Sequence, residues 1–285
     1  MRKDKLEISE LIRSKYNKLS NKQRNIAEFI LNNLQRCSDL SSNKLADLLG
    51  VNESTIVRFS QKLDLSSYKD LARLITESSK TESTTLERIE ISKINNNIIS
   101  TTYLTEINSI KNIPKNIDLE QYNKIIDHVL NAKKIYILGC RSSSFLAGYL
   151  SYYLSMVYEN ITLLGNKQIN PIEEIKNISN EDVLFVISYP RYTSESLKIV
   201  KYANKKNANI ICLTNNDSNP LLDFSTNFLT IENNMIFFID SIATPIVVLN
   251  AIILDICLHN KQKTINCLSE LENLWLENNI FIKKD

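Results

Sequence analysis

Two short stretches concentrate hydroxyls, a guanidinium and backbone donors: Gly139-Cys140-Arg141-Ser142-Ser143-Ser144 and Ser188-Tyr189-Pro190-Arg191-Tyr192-Thr193-Ser194. Each follows an apolar run, 134–138 or 183–187, and opens a stretch of helical periodicity. Free backbone N–H groups and hydroxyls at a helix N-terminus favour negative charge, because the helix dipole and the unpaired donors act together. An arginine in each loop adds charge-assisted hydrogen bonding to a carboxylate or phosphate. The candidate anion-binding set is therefore Arg141, Ser142, Ser143, Ser144, Ser188, Arg191, Tyr192, Thr193 and Ser194. A simpler reading makes the serines N-caps and pairs each arginine with a local carboxylate such as Glu195 or Asp217, leaving a filled, unliganded site. Groups able to move protons are sparse. His128 and His259 read as surface positions on helices, and Glu173 and Glu174 beside Pro171 are explained by the dipole of a helix first turn. No catalytic residue is assigned.

A third stretch, residues 42–62, has the residue types of two short helices crossing at a tight turn. Leu45 and Leu49 face inward, Ala46 permits close approach, Gly50 takes a left-handed turn, and Val51, Ile56 and Phe59 close a small core. Asn52 is placed to cap the second helix with its side-chain oxygen. That leaves Glu53, Ser54, Thr55, Val57, Arg58, Gln61 and Lys62 on the outer face. Short hydroxyls with Arg58 and Gln61 suit base edges in a DNA major groove, while Lys44, Lys62 and Lys69 suit phosphate. The DNA-binding candidates are Lys44, Asn52, Ser54, Thr55, Arg58, Gln61 and Lys62.

The elements that must carry these groups differ between the two ends of the 285-residue chain. Residues 1–80 show helical periodicity and no strand-like run, and they hold 15 Lys and Arg against 10 Asp and Glu; the remainder holds 19 against 22. The basic end is thus the expected nucleic-acid partner. Residues 81–117 read as a polar linker containing one helix, with Leu86, Ile89, Ile94, Ile98, Leu104, Ile107 and Ile110 at helical spacing and Pro114 ending it. From Asp118, which caps a helix with Gln121 three residues on, short apolar runs alternate with helical stretches, the pattern of a parallel sheet covered on both faces. The runs lie at 134–138, 161–164, 183–188, 209–214 and 228–231; helices are expected from Ser143, near 171–178, over 194–206, from Pro220 and as one long apolar helix after Asp240. That last helix, with Leu268, Leu271, Leu274 and Trp275 trailing it, is expected to serve both the core and a subunit interface. Cys37, Cys140, Cys212, Cys257 and Cys267 have no metal-ligand or disulfide spacing. The apolar run 241–258 is broken by Pro245, Asn250 and Asp255, so neither a leader nor a membrane span is read and a cytoplasmic protein is expected.

Residues 19–75, with LSNKQRNIAEFIL, LADLLGVNESTIVRFSQKLDL and SSYKDLARLI in succession, resemble the N-terminal domain of the RpiR family of bacterial regulators. Asp64 departs from the family's glycine at the helix end, a position aspartate tolerates. Residues 118–258 resemble the SIS (sugar isomerase) domain that follows it in that family. The resemblance implies an all-α helix-turn-helix domain (1–80) and an α/β SIS domain (118–285) with a flavodoxin-like, five-stranded parallel sheet. It implies a double-stranded DNA operator, a sugar phosphate or related anionic small molecule held by Ser143, Ser188 and Thr193, a homodimer or homotetramer, and no cofactor or metal. Arg141 and Arg191 stand where those loops usually have glycine, and Pro190 where serine often contacts phosphate. The two arginines are expected to face each other across the crevice and to clamp a smaller anion. Alternatives are a sugar-phosphate isomerase with an accessory helical domain and a ligand-free SIS dimerisation module.

Overall fold

The computed structural model describes residues 8–32, 34–38, 40–82, 97–215, 219–236 and 238–282. The chain divides into two compact units, Met1–Lys93 and Ile94–Asp285.

The first unit is helical: α1 (Ile8–Lys15), α2 (Asn21–Asn32), α3 (Leu34–Cys37), α4 (Ser42–Leu49), α5 (Glu53–Lys62) and α6 (Tyr68–Glu82). One core joins Ile8 and Ile12 of α1, Ile26 and Ile30 of α2, Leu45 and Ala46 of α4, Ile56 and Phe59 of α5, and Leu71 and Ile75 of α6. Between α4 and α5, Gly50 is left-handed at φ 62°, and its N–H accepts the role of helix terminator by bonding to Ala46 O and Asp47 O. Asp64 is left-handed at φ 61°, as the sequence predicts for the position after α5, and its carboxylate pairs with Lys15. Tyr68 donates its hydroxyl to the Leu40 carbonyl at 2.6 Å, and burial pushes the phenol up to about 12. The folded state therefore favours neutral Tyr68, and that contribution is lost as pH rises from about 10 through about 12.

The second unit opens with α7 (Ile98–Asn116) and α8 (Leu119–Leu130), then alternates β1 (Ile135–Gly139), α9 (Ser143–Ser155), β2 (Ile161–Leu163), α10 (Pro171–Glu174), β3 (Val183–Ile187), α11 (Ser194–Lys205), β4 (Asn209–Thr214) and β5 (Asn227–Thr230). A short antiparallel hairpin, β6 (Met235–Ile236) and β7 (Ile239–Asp240), precedes α12 (Ala243–His259) and α13 (Lys261–Glu277). The five strands β1 to β5 form one parallel sheet in the order β2-β1-β3-β4-β5. Alternate strand residues feed two cores: Ile135, Ile137, Phe185, Ile187, Ile211 and Leu213 pack under α8, α9 and α12. Tyr136, Leu138, Leu184, Val186, Ile210 and Cys212 pack on the other face with Ile199, Val200 and Ala203 of α11.

Four sequence expectations need correction. Pro114 lies inside α7, which runs on to Asn116, because Ser109 is buried, Ile113 and Ile117 pack on the core of this unit, and the terminal N–H of Ile117 still bonds to Ile113 O at 3.0 Å. Leu86, Ile89 and Ile94, read as the start of the same periodicity, fall outside the described residues. The apolar helix after Asp240 is two helices, α12 and α13, bent by 102° at Asn260, whose side chain accepts from Lys263 N and so caps a new start. Finally, the helix near Pro171 closes after Glu174, and the one from Pro220 is only the 3-10 turn Leu222–Phe224. No single described helix is long and apolar enough to cross a membrane; the apolarity of α12 is spent on Val248, Leu249, Ile252 and Ile256 in the core.

Gly139 is the tightest point of the second unit. A Cβ there would lie 2.3 Å from Ser143 O and 2.8 Å from the Ala147 side chain, so α9 can start against the end of β1 only because this residue has none. Gly139→Ala is expected to destabilise the second unit by about 1–3 kcal/mol through overpacking, read as a lowered urea midpoint with an unchanged slope.

Candidate functional site

The N-terminal candidate is a surface on α4 and α5. Ile56 and Phe59 are fully buried, which rotates the opposite side of α5 outward and leaves Ser54, Arg58, Gln61 and Lys62 exposed, with Thr55 and Val57 half-buried at its margins. Lys44 and Asn52 are exposed beside them. Among the described residues neither Lys44, Arg58 nor Lys62 is paired with a carboxylate within 4.0 Å. Asn52 occupies the N-cap position, but its side chain makes no capping bond, contrary to the sequence expectation. The adjacent Glu53 provides the local tie: its carboxylate accepts from Ser42 Oγ at 2.5 Å and from the Asn43 amide at 2.6 Å, clasping the start of α4 to the start of α5. Glu53 is thus committed to the helix pair, which its place on the outer face in the sequence did not show. Ser41, by contrast, caps α4 by accepting from Lys44 N at 3.4 Å.

The C-terminal candidate sits where the strand order reverses. β1 and β3 are adjacent, yet their connecting helices leave in opposite directions, to α9 and then β2 on one side and to α11 and then β4 on the other. The divergence opens a crevice beyond the carboxyl ends of the two strands, the place where ligands bind in sheets of this order. Both candidate loops flank it. Arg141 is left-handed at φ 54°, a conformation usual for glycine, and is exposed; Arg191 is exposed at the second loop. Among the described residues neither is paired with a carboxylate within 4.0 Å; Glu195 lies by Cys140 at 3.8 Å, and Asp217 is outside the described residues.

The hydroxyls divide into committed and uncommitted ones. Ser144 Oγ donates to Arg141 O at 2.6 Å, Tyr192 donates to Asn215 Oδ1 at 3.2 Å, and Thr193 Oγ1 caps α11 by accepting from Ser196 N at 3.1 Å. Ser142 Oγ donates to Asp240 Oδ2 at 3.2 Å rather than capping α9. The N-cap reading therefore holds for Thr193 and fails for Ser142. Ser143 and Ser188 are 5% and 4% exposed, and among the described residues nothing bonds to either hydroxyl. Ser194 is exposed. Cys140 joins the loops, accepting from Ser196 Oγ at 3.2 Å, a bridge between residues 56 apart that no local pattern announces. Tyr189, next to Ser188, is buried, among the described residues its hydroxyl has no partner, and burial raises its pKa above the usual phenol range.

Groups considered for proton transfer are elsewhere or engaged. Glu174 has a wholly buried side chain whose Oε1 accepts from Gly165 N at 2.9 Å, closing the loop after β2. His259 bonds Asp255 at the end of α12, and His128 stands near the end of α8, which feeds the amino end of β1, opposite the crevice. Among the described residues no three His, Cys, Asp or Glu side chains gather as a metal site.

A helical hairpin with a polar, cationic second helix, followed by a five-stranded α/β domain with a switch-point crevice, defines a two-part protein of the DNA-binding, ligand-responsive class. Comparison with known proteins agrees with each part. Residues 6–81 match the description "Helix-turn-helix domain, rpiR family", and residues 128–255 match "SIS domain". The chain belongs to the RpiR family of helix-turn-helix regulators, with an N-terminal DNA-binding domain and a C-terminal SIS domain. It is 27% identical over 235 residues to an uncharacterized HTH-type transcriptional regulator of Clostridium perfringens, covering 80% of this chain and 83% of that one. It is 24% identical over 276 residues to another from Haemophilus influenzae, covering 91% and 95%. Among solved structures, Vibrio vulnificus NanR complexed with ManNAc-6P shares the fold at TM-score 0.60 and 19% identity, covering 95% of this chain and 98% of that one. The sugar isomerase domain of an RpiR transcription factor from Sphaerobacter thermophilus does so at TM-score 0.59 and 15% identity, covering 62% and 98%.

Arg58→Ala is expected to weaken sequence-specific DNA binding by about 1–3 kcal/mol and to relax preference at one base position. Lys44→Ala should weaken binding evenly across sequences and lower the salt slope by about one. Competition binding of a selected operator fragment between 50 and 200 mM salt separates the two, and an unchanged preference in Arg58→Ala would remove that residue from the reading face.

Proposed function

We propose that this protein is a transcriptional regulator whose affinity for its operator is set by a phosphorylated sugar or related anion bound between the β1 and β3 loops. The observation that carries the reading is the pair of buried serines, Ser143 and Ser188, set on adjacent loops at the switch point with hydroxyls that no described residue occupies. Arg141 and Arg191 supply charge at the same strand ends, and the N-terminal end of α9 adds the positive end of its dipole. Vibrio vulnificus NanR, alike in fold, is complexed with ManNAc-6P, which makes an amino-sugar phosphate a natural first probe. The guanidinium groups take up room that glycine would leave open, so a compact anion fits best. Glu174, the carboxylate considered for proton transfer after β2, is engaged with the Gly165 amide, which favours binding over turnover.

The active form on DNA is a dimer or a tetramer of this chain, since one short recognition helix buries too little for tight binding and paired helices reach two half-sites one turn apart. Support comes from α9 and α12. They are linked by Tyr149 Oη donating to Asn250 Oδ1 at 2.6 Å, and they leave Phe145, Tyr152, Leu254 and Leu258 exposed at 73%, 59%, 61% and 65%. α9 has no charged residue, and α12 has only Asp255 and His259. Charge depletion with aromatic enrichment is what the centre of a protein interface shows.

Calorimetric titration with N-acetylmannosamine 6-phosphate, other sugar phosphates and small organic acids tests the ligand. A binder should lose about tenfold or more in affinity in Ser188→Ala and in Arg191→Ala, as expected for charge-assisted bonds; equal affinity in Arg191→Ala ends the arginine-clamp reading. Sedimentation at micromolar concentration should give a multiple of the 32.8 kDa chain mass, and Leu254→Glu should return it to one chain. A wild-type protein sedimenting as a monomer contradicts the oligomer.

A further inference from the structure

The first anion loop already has a carboxylate beside it, delivered from almost a hundred residues away. Ser142 Oγ donates to Asp240 Oδ2 at 3.2 Å, and Asp240 is the last residue of the β6–β7 hairpin. The contact places negative charge by the N-terminus of α9, the position that an incoming anion needs for the helix dipole and the loop donors. The other strand of the hairpin, at the same base, holds α7. Asn234, whose carbonyl accepts from Ser241 N at 2.7 Å across the hairpin base, donates its amide to Ser109 Oγ at 2.9 Å and to Glu106 Oε2 at 3.4 Å. α7 is the first described helix after the DNA-binding unit in the chain.

This junction is not fully satisfied. Glu106 Oε1 and Thr244 Oγ1 are buried, and among the described residues neither has a hydrogen-bond partner. Ser109 and Thr244 line a cavity of about 20 Å³ with Thr230 and Glu232, room for one water.

Resting on the reading of the crevice as an anion site, we propose that Asp240 is the affinity-determining residue of that site and the group that reports its occupancy. An anion at Ser142 and the α9 N-terminus meets the Asp240 carboxylate at close range, and the like charges exclude one another. Binding drives Asp240 out. The hairpin follows, and the Asn234 bonds to Ser109 and Glu106 break, releasing α7. Occupancy at the crevice is thereby converted into a change in the helix that leads to the DNA-binding unit, through one contiguous set of hydrogen bonds.

The test uses the full-length chain and inorganic phosphate as the probe, with calorimetry for affinity and hydrogen exchange for residues 233–241 and 98–116. Asp240→Asn keeps an acceptor for Ser142 and removes the charge. It should bind phosphate at least about fivefold more tightly than wild type, the factor one unit charge a few ångströms away exerts even in bulk water. Saturating phosphate should raise exchange in both segments of the wild type; in Asn234→Ala, phosphate affinity should rise, because the bonds that binding must break are already gone, and α7 should no longer respond to phosphate. Phosphate binding with equal affinity to wild type and Asp240→Asn overturns the competition. A response of α7 that is absent in the wild type, or identical in Asn234→Ala, overturns the coupling. Failure of phosphate to bind both the wild type and Asp240→Asn instead overturns the anion-site reading itself, and the titration shows which has failed.

Discussion

The pairing of β1 with β3 is the constraint on which the second unit depends. Two strands separated in sequence by α9, β2 and α10 lie side by side in parallel register, Ile135 with Val183 and Gly139 with Ile187. Right-handed crossovers then send their helices to opposite faces, so the two strand ends must part and leave a crevice. Gly139 is the fine adjustment of that arrangement, since the start of α9 presses on the end of β1 with no space for a Cβ. Ser143 owes its burial, and its place beside the crevice, to this close approach.

Within the crevice, hydrogen-bond demand sorts the polar residues. Ser144, Tyr192 and Thr193 satisfy loops and a helix end, Ser142 holds Asp240, and Cys140 with Ser196 links one loop to the other. What remains for a ligand is a smaller set, the hydroxyls of Ser143 and Ser188 and the two arginines, since the N–H groups of Ser143 and Ser144 already donate to Cys140 O and Arg141 O. A composition rich in serine thus overstates the number of side chains available, because a loop must first bond itself into shape. The DNA-binding unit follows the same rule. Glu53 is spent on clasping α4 to α5, which fixes the angle at which Ser54, Arg58, Gln61 and Lys62 are presented.

The features that sequence alone determined are those with a short reach along the chain. Apolar spacing of three or four residues put Ile56 and Phe59 inside and Arg58 outside. Left-handed turns were legible at Gly50 and at Asp64, and the cap at Asp118 with Gln121 N appears as its spacing requires, at 3.0 Å. Alternation of short apolar runs with helices gave a parallel α/β sheet, and that in turn pointed to the residues after β1 and β3. These are local free energies, decided within a turn or a strand.

Tertiary structure decided wherever a residue had more than one partner within its chemistry. Asn52 is a good cap by type, but its neighbour Glu53 takes over the junction once α4 is alongside. Pro114 is a helix breaker by type, but packing of Ile113 and Ile117 on the core carries α7 past it. Asn260 splits an apolar stretch because the core ends there and a side-chain cap can start α13 at a new angle. Asp240, 98 residues from Ser142, finds it only because the sheet brings the hairpin to the strand ends. A hydrogen bond has the same strength whatever the sequence separation of its partners, and only the folded sheet determines which distant donors and acceptors come within 3 Å of each other.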